Sequence, residues 1–412
     1  MKVSPVRIQA LTLALTGLVC GSAVLIYGYG QGRDVAFQRD LCADTGVCAK
    51  DSLNEAAWNL LWSGNSEGPV EALSIYRDVL AGDPADPANW ANLGDALTVT
   101  GDNEGASKAF ANALELGPNR PEILMRVANW AFSNDRLDLA TTVTRRILHL
   151  VRDYDEVLFQ FLALSGLTAE EALERAIPDD REALASYLTS TLRTRGSAPA
   201  QPIWLRMSEL KMIEQSDLGP YVAGLMKDGR EDLAVEAQRQ FIGDREPTWP
   251  QDNAVFNGGF EQEPLGTPLD WTIRRHNTVK IDIDSETASE GEKSLRLTFV
   301  GGDNLQFTNV SQDVVVGPGP QLLRAMVKTD EVTTNEGLRL AVRSASEGHT
   351  RILAITPSIA GTQDWTLVEL PFQAPPDARS VEVTLMRQRS LKVNSKIQGT
   401  AWVDEVGITP AP

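Results

Sequence analysis

Few residues in this chain combine the types and the spacing that metal-dependent catalysis requires. The 412 residues include three histidines, His149, His276 and His349, and no two of them are close in sequence. Sites of the HExxH or CxxC kind need two ligands on one short stretch of chain, and neither pattern occurs. The sequence therefore predicts no catalytic metal and no zinc site.

Paired carboxylates are the other residues that could do chemistry, because glycoside hydrolysis needs two of them in one cleft. Carboxylates in the strand-like C-terminal part include Asp282, Asp284, Glu382 and Asp404, but no spacing singles out a pair. We therefore expect a protein that is not an enzyme. A polysaccharide hydrolase or lyase is the enzymatic alternative.

The three cysteines suggest a compartment rather than a reaction. Cys20 lies inside an apolar N-terminal stretch, and Cys42 and Cys48 follow it with five residues between them. This pair can close a small disulfide loop in an oxidising compartment. Two free thiols are the alternative.

Composition and charge exclude one class of partner. With 42% apolar and 23% charged residues the chain has a globular composition, and its formal net charge is −18. Such a surface repels phosphate backbones, so no nucleic-acid partner is expected.

An uncharged N-terminal stretch has the length of a membrane span. No charged residue occurs between Arg7 and Arg33, and the run Ile8–Tyr29 has 22 residues. At about 1.5 Å per residue such a helix crosses a hydrocarbon core of roughly 30 Å. We predict a transmembrane anchor over residues 1–30.

The charges around this stretch set its orientation. Lys2 and Arg7 precede it, which favours a cytoplasmic N-terminus. We predict a single-pass protein of the inner (plasma) membrane, with a juxtamembrane linker at 31–52 and the bulk of the chain periplasmic or otherwise extracytoplasmic. A cleaved signal peptide is the competing interpretation.

An internal repeat follows the anchor. Residues of the same type recur at an interval of 34 positions. The pairs are Pro84 and Pro118, Ala72 and Ala106, Ala106 and Ala140, and the aromatic pair Tyr76 and Phe110. The best copy, at about 87–120, has Trp90, Leu93, Gly94 and Leu97 on one helix and Ala106, Phe110 and Ala113 on a second, before Pro118.

This pattern resembles the tetratricopeptide repeat (TPR) family. Small residues such as Gly94 and Ala106 let two helices approach closely, and bulky residues fill the space between them. Helical segments continue to residue 243, so we predict one TPR-like α-solenoid over 53–243. The resemblance implies a groove that holds a partner protein or peptide.

The periodicity changes to two after a proline-containing linker at 244–251. Short β-branched or alternating segments, separated by Gly, Pro and Asp, predict an all-β sandwich over 252–412. The predicted strands are Val279–Asp284, Ser294–Phe299, Ser311–Val316, Leu322–Thr329, Leu338–Val342, Trp365–Leu370, Val381–Met386 and Ala401–Ile408.

Four short motifs in this part carry a second resemblance. They are Asn257-Gly258-Gly259-Phe260-Glu261, Glu292–Leu297, Gly361–Trp365 and Trp402-Val403-Asp404-Glu405-Val406. Together they are similar to the carbohydrate-binding-module jelly rolls of the galactose-binding-like class, over about 252–409. The resemblance implies a multidomain chain that ends in a polysaccharide-binding jelly-roll sandwich.

The same resemblance implies a structural calcium that ties the first strand to the last. The matching residues are Glu261 and Asp404, with carbonyl oxygens from the turn Ser289–Lys293. Calcium prefers several hard oxygen ligands, and two carboxylates brought together would otherwise repel each other. A surface pair that never meets is the alternative.

Sugar recognition needs an exposed aromatic face together with polar groups for the hydroxyls. Strand-borne arginines would suit an anionic sugar, and Trp271 could equally belong to the core. The candidate ligand-binding residues are Trp271, His276, Phe307, Arg324, Arg387 and Gln388.

These expectations combine into one hypothesis and its rivals. The first is a non-catalytic envelope protein, with the repeats as a scaffold for partner proteins and the sandwich bound to polysaccharide, in exopolysaccharide or cell-wall assembly or export. The second is a pure protein–protein scaffold with no glycan ligand. The third is the hydrolase or lyase, and the fold alone cannot decide among them.

Overall fold

The computed structural model describes residues 50–346, 349–377, 379–393 and 395–411. The predicted anchor at 1–30 and the Cys42–Cys48 disulfide lie outside these residues. Of the helices in the described part, none combines the length and the apolar character needed to cross a bilayer.

The described part of the chain divides into two compact units, one that ends at Tyr187 and one that begins at Leu188. The sequence placed a linker between helices and sandwich at 244–251. In the structure the division falls earlier, so the last helices belong to the same unit as the sandwich.

The first unit is all-α. Side chains at the helix starts explain local folding: Asp86 accepts a hydrogen bond from the backbone N–H of Ala88 at 2.9 Å, and Asp102 accepts one from Gly105 at 2.9 Å. The helices are α1 (Lys50–Leu61), α2 (Gly68–Gly82), α3 (Pro87–Val99), α4 (Asn103–Leu116), α5 (Pro121–Ser133), α6 (Leu137–Leu150), α7 (Asp155–Leu164) and α8 (Ala169–Arg175), followed by α9 (Arg181–Arg195) at the boundary.

The pair α3 and α4 shows why the 34-residue interval exists. A Cβ placed on Gly94 would lie 2.8 Å from Cζ of Phe110, so the glycine makes room for the aromatic ring. Phe110 is buried, and its ring packs on Trp130 of α5 with centroids 5.2 Å apart. The predicted close packing of this repeat is confirmed.

The second unit begins with helices. They are α9, α10 (Ser197–Glu209), α11 (Gln215–Lys227), α12 (Glu231–Ile242) and a 3-10 turn, Gly243–Arg245. Helices α10 and α11 include Pro202 and Pro220, each the sixth residue of its helix. Each proline lacks the N–H that would otherwise bond the carbonyl four residues earlier, so each helix gives up one hydrogen bond in its second turn.

The sandwich has two antiparallel five-stranded sheets. Sheet A has the order β1-β4-β9-β6-β7, and sheet B has the order β2-β3-β10-β5-β8. All eight predicted strands are present, and β1 and β7 were missed. The strands are β1 (Thr272–Ile273), β2 (Val279–Asp284), β3 (Ser294–Val300), β4 (Phe307–Val315), β5 (Gly319–Val332), β6 (Arg339–Ser346), β7 (His349–Ile355), β8 (Gly361–Ala374), β9 (Ser380–Arg387) and β10 (Gln398–Pro410).

The core lies between the two sheets. Val310 and Val314 of β4, Val383 of β9 and Val342 of β6 enter it from sheet A, and Leu297 of β3 enters it from sheet B. Side chains on a strand alternate between faces. Residues 311, 313, 382 and 343 therefore lie on the outer face of sheet A.

Candidate functional site

The opening segment of the sandwich meets its last strand. The backbone N–H of Val406 donates to the carbonyl of Gly258 at 2.9 Å, and the Asn253 side chain donates to the Val406 carbonyl at 3.1 Å. A Cβ on Gly258 would overlap that same carbonyl oxygen. The first glycine of the Asn-Gly-Gly-Phe-Glu motif is therefore required by this close approach.

Asp404 connects the last strand to the turn at 289–293. Its Oδ2 accepts hydrogen bonds from the backbone N–H groups of Ser289 at 2.8 Å and Glu290 at 3.2 Å. The side chain is fully buried. Burial raises the pKa of Asp404, while the N–H groups of the turn oppose that shift.

Glu261 reaches the same turn from the opening segment. Its Oε1 accepts hydrogen bonds from the backbone N–H groups of Glu292 at 2.7 Å and Lys293 at 2.9 Å. A Cβ on Gly259 would lie 3.6 Å from Oδ1 of Asp404 and 3.7 Å from Cγ of Glu261, so this glycine sits between the two side chains. The structure thus brings together the two carboxylates and the turn that the resemblance paired.

We call the site formed by Glu261, Asp404 and the turn 289–293 the junction, and the backbone next to it is strained. Asn257, Phe260 and Glu405 adopt positive φ angles of 50°, 56° and 48°. Non-glycine residues rarely do so, and each such residue costs of order 1–3 kcal/mol that its surroundings must offset. All three lie next to the segments that carry Glu261 and Asp404.

The carboxylate oxygens of Glu261 and Asp404 are of the type that calcium binds. Neither Glu261 nor Asp404 forms an ion pair with a basic side chain of the described residues, and both line a cavity of about 620 Å³ with Glu246, Glu290 and Glu405. In the described residues no group of three or more His, Cys, Asp and Glu side chains is placed to hold a metal. A calcium here would therefore take its other ligands from backbone carbonyls and water.

Trp271 and Phe307 do not present aromatic faces to solvent. Both rings are buried in the core, with 2% and 0% of their surface exposed. Trp271 stacks on Phe260 with centroids 4.9 Å apart, and its indole N–H donates to the carbonyl of Asn257 at 2.9 Å. The structure corrects the prediction for these two residues, because Trp271 packs on the opening segment and Phe307 packs on Phe299 of β3, with ring centroids 6.5 Å apart.

Arg387 is also interior. Its guanidinium donates to the carbonyls of Glu336 at 3.0 Å and Ser395 at 2.8 Å, to the carbonyl of Leu305, and to Oδ1 of Asn304 at 3.3 Å. It has no exposed surface. Arg387 joins three loops and is not available to an anionic sugar, which corrects the prediction for this residue.

The other predicted ligand residues do not form one cluster. Arg324 is exposed on sheet B and pairs with Glu369 at 2.9 Å. Gln388 is exposed just after β9 of sheet A, and the half-buried His276 packs its ring against Phe307, with centroids 5.9 Å apart. Arg324 therefore lies on a different sheet from the strand that Gln388 follows.

The predicted carboxylate candidates are dispersed as well. Asp282 and Asp284 lie on sheet B, where both pair with Arg296 at 3.5 Å and 3.0 Å. Glu382 lies on sheet A, and Asp404 belongs to the junction at the turn. These four residues therefore do not form a catalytic pair.

A cleft on the outer face of sheet A contains residues that the sequence reasoning missed. Cross-strand register places Thr272 opposite Ser311 and Asp313 opposite Glu382. A cavity of about 790 Å³ is lined by these four residues, by helix α11 and by the loop 264–268. We call it the sheet A cleft. The outward alternation of 311 and 313 in a predicted strand was the available signal.

The electrostatics of the sheet A cleft are unusual for an outer sheet face. Burial raises the pKa of Asp313 to about 6, and the neighbouring Glu382 adds to the shift. Glu382 itself pairs with Arg343 at 3.1 Å. The floor of the cleft therefore has two carboxylates opposite each other, of which one has a cationic partner.

Comparison with known proteins identifies the repeat. Residues 68–129 match the tetratricopeptide repeat family model, which confirms the interpretation of the 34-residue interval. No curated protein matches this chain in sequence.

The sandwich is similar to solved carbohydrate-binding modules. A xylan-binding family 22 module of Paenibacillus barcinonensis is 20% identical and covers 37% of this chain and 91% of its own, with a TM-score of 0.29. A family 16 module is 20% identical, covers 38% of this chain and 99% of its own, and has a TM-score of 0.28. A family 22 xylan-binding domain is 14% identical and covers 39% of this chain and 97% of its own, with a TM-score of 0.29. What these modules bind is a property of those proteins.

Proposed function

We propose that this chain is a non-catalytic, membrane-anchored envelope protein that links a partner protein to a polysaccharide. The tetratricopeptide repeat at 68–129 supports the first half, because stacked helix pairs of this kind commonly hold partner proteins or peptides. The β-sandwich supplies the second half. Together they form a connector in exopolysaccharide or cell-wall assembly or export.

The observation that carries the polysaccharide role is the junction built by Glu261 and Asp404. They come from opposite ends of the sandwich and accept backbone hydrogen bonds from one turn, at 289–293. The resemblance to carbohydrate-binding modules pairs the same two positions with the same turn.

The same two residues would hold a calcium ion. Bound there, calcium would neutralise the buried charge of Asp404 and cross-link the opening segment to the last strand. The chain's own contribution is to place both carboxylates on one turn, with Gly259 between them. The proposed role of the ion is structural.

Anchoring is proposed from the uncharged stretch Ile8–Tyr29 and the basic residues before it. The bulk of the chain then faces the periplasm, where Cys42 and Cys48 would form a disulfide. This location places the sandwich where envelope polysaccharides are assembled.

A glycan array probed with the full-length protein in detergent tests the proposal. We expect binding to at least one envelope or plant-type polysaccharide in calcium, and weaker binding in chelator. A protein that is folded, monodisperse and bound to no glycan would instead support the pure scaffold.

Asp313 and Glu382 favour a hydrolase as the second candidate. Directly opposed residues on antiparallel strands have Cβ atoms about 5 Å apart, and a carboxyl group with a raised pKa beside a second carboxyl group suits acid–base chemistry. Release of reducing ends from the polysaccharide that binds would establish this alternative. We expect none.

A further inference from the structure

Helix α11 forms a wall against the sandwich. A Cβ on Gly219 would lie 2.6 Å from the carbonyl oxygen of Gly266, so only a glycine allows the helix this close to the loop 264–268. The Gln215 side chain donates to the carbonyl of Pro264 at 3.1 Å. The helix is therefore held in place beside sheet A.

Helix α12 is attached by a buried polar contact. The fully buried Gln238 donates to the carbonyl of Leu269 at 3.3 Å and accepts a hydrogen bond from the hydroxyl of Thr267 at 2.6 Å. Arg379, beside β9, lies 3.8 Å from Glu231 at the start of the helix. A buried amide with both ends satisfied specifies one docking geometry, which explains why these helices share a compact unit with the sandwich.

The wall and the floor of the sheet A cleft differ in character. Helix α11 contributes Gly219, Pro220 and the exposed Ala223, which are small and leave space open. The floor contributes Ser311 and the opposed carboxylates of Asp313 and Glu382. The volume of about 790 Å³ lies within the range of roughly 300–1,000 Å³ that small-molecule sites occupy.

Ser311 is the group that points to a ligand. Only 7% of its surface is exposed, yet its hydroxyl has no hydrogen-bond partner among the described residues. The carboxylate of Asp313, two residues along the same face, has no hydrogen-bond donor among them either. The nearly buried Ser311 and the half-buried Asp313 therefore line the cleft without a protein partner, and a ligand bound there would supply one.

The side chains on the floor of the cleft determine which functional groups a ligand needs. Two carboxylates and a hydroxyl accept hydrogen bonds, so a ligand rich in hydroxyl or amine donors satisfies them. A uronic acid would place a third carboxylate beside Asp313 and Glu382. Arg274 also lines the cleft, but its side chain is exposed, and Arg343 is already paired with Glu382.

We propose that the sheet A cleft binds a short segment of a polysaccharide made of neutral or amino sugars, and that helix α11 supplies one wall of this site. The sugar site is then composite: the sandwich provides the acceptors and the helical segment determines how long a ligand fits. This inference rests on the proposed polysaccharide role. It excludes uronic-acid chains as the preferred ligand.

The test uses the full-length protein in detergent and three probes, oligomers of xylose, of glucosamine and of galacturonic acid. Titration calorimetry should show binding of a neutral or amino oligomer, and affinity for the galacturonic-acid oligomer at least about tenfold lower. Tighter binding of the galacturonic-acid oligomer overturns the assignment of ligand class.

A variant whose side chain fills the cleft tests whether the cleft is the binding site. Ala223→Trp should abolish binding, since the exposed position lets the indole occupy the cleft without entering the core. Ala198→Trp, the same change at an exposed position of α10, should bind like the wild type. Melting curves of both variants establish that each is folded.

Floor variants extend the test. Ser311→Ala and Asp313→Asn should each weaken binding about tenfold, the loss expected for one hydrogen bond to a charged or buried group. Arg324→Ala on sheet B should leave it unchanged. If the wild type binds sugar and all cleft variants bind equally well, the cleft is the wrong site and the polysaccharide role stands. If the wild type binds no oligomer or array glycan, the polysaccharide role fails and the cleft assignment with it.

Discussion

Replacing Asp313 with asparagine should make the protein more stable at neutral pH. The carboxylate lies on the outer face of β4, opposite Glu382, and no described residue donates a hydrogen bond to it. The other charged groups around it are Arg343, paired with Glu382, Arg274 in the same cleft, and Asp232 of α12 in an adjoining cavity. Asn keeps the shape of the side chain and removes its charge.

The size of the effect follows from the pKa. Burial, with a smaller contribution from Glu382, raises the pKa of Asp313 from 3.8 to about 6. Between these values the folded state binds the proton more tightly than the unfolded state, so stability falls as pH rises through 6. Each pKa unit corresponds to about 1.4 kcal/mol, and partial exposure reduces the total, so the ionised group costs about 1–3 kcal/mol at neutral pH.

Differential scanning calorimetry of the full-length chain checks this, with the wild type and Asp313→Asn compared at about pH 7.5 and about pH 4.5. The variant should melt higher at the first pH, and its advantage should shrink to about a third at the second, where the wild-type carboxyl is protonated in the folded state but still mostly ionised in the unfolded state. Asp303→Asn, an exposed position, is the matched control. An equal gain at both pH values, or none at about pH 7.5, would refute the reasoning.

The same variant should weaken sugar binding about tenfold, since it removes a charged acceptor from the cleft floor. Stability gained and binding lost in one substitution is the pattern of a residue kept for function. A variant that gains stability and binds sugar as before would show that Asp313 does not contact the ligand.

Three further predictions concern the other parts of the chain. The wild type should melt at a lower temperature in chelator than in calcium, because calcium at a hundredfold above its Kd adds about 2.7 kcal/mol to the free energy of unfolding. Asp404→Asn should reduce this difference. Identical melting temperatures in both conditions would exclude the calcium site. Gly94→Val should destabilise the repeat unit by about 1–3 kcal/mol because its side chain meets the ring of Phe110; an unchanged melting temperature would contradict the packing. The full-length protein should stay in membranes after a carbonate wash, and a mature chain that begins near residue 31 would show cleavage instead.

The contacts between the helices and the sandwich determine where a fragment that contains the sandwich should begin. A fragment that begins at residue 250 would remove α12 and leave Thr267 and the carbonyl of Leu269 without Gln238. Losing a buried partner costs about 1–3 kcal/mol for each unsatisfied group. A fragment that begins at Arg181 keeps helix α9 and the rest of the compact unit whole and is the better starting point.

Local patterns were enough to predict the elements. The 34-residue interval depends on residues such as Gly94 and Phe110, which meet within one helix pair, so the repeat is visible in sequence. Period-two alternation revealed all strands except β1, which has two residues, and β7, a strand at the edge of sheet A with weak alternation. The pairing of Glu261 with Asp404 came from motif resemblance, not from spacing.

The cleft and the unit boundary depended on tertiary structure. Thr272, Ser311 and Glu382 are far apart in sequence, and the order of strands in sheet A alone makes them neighbours. Trp271 and Arg387 have the residue types of ligand contacts, yet packing placed both inside. Composition and periodicity report which face of an element is buried, because burial follows from local alternation. Which faces meet is decided by non-local contacts such as Gly219 against Gly266, and no local pattern records those.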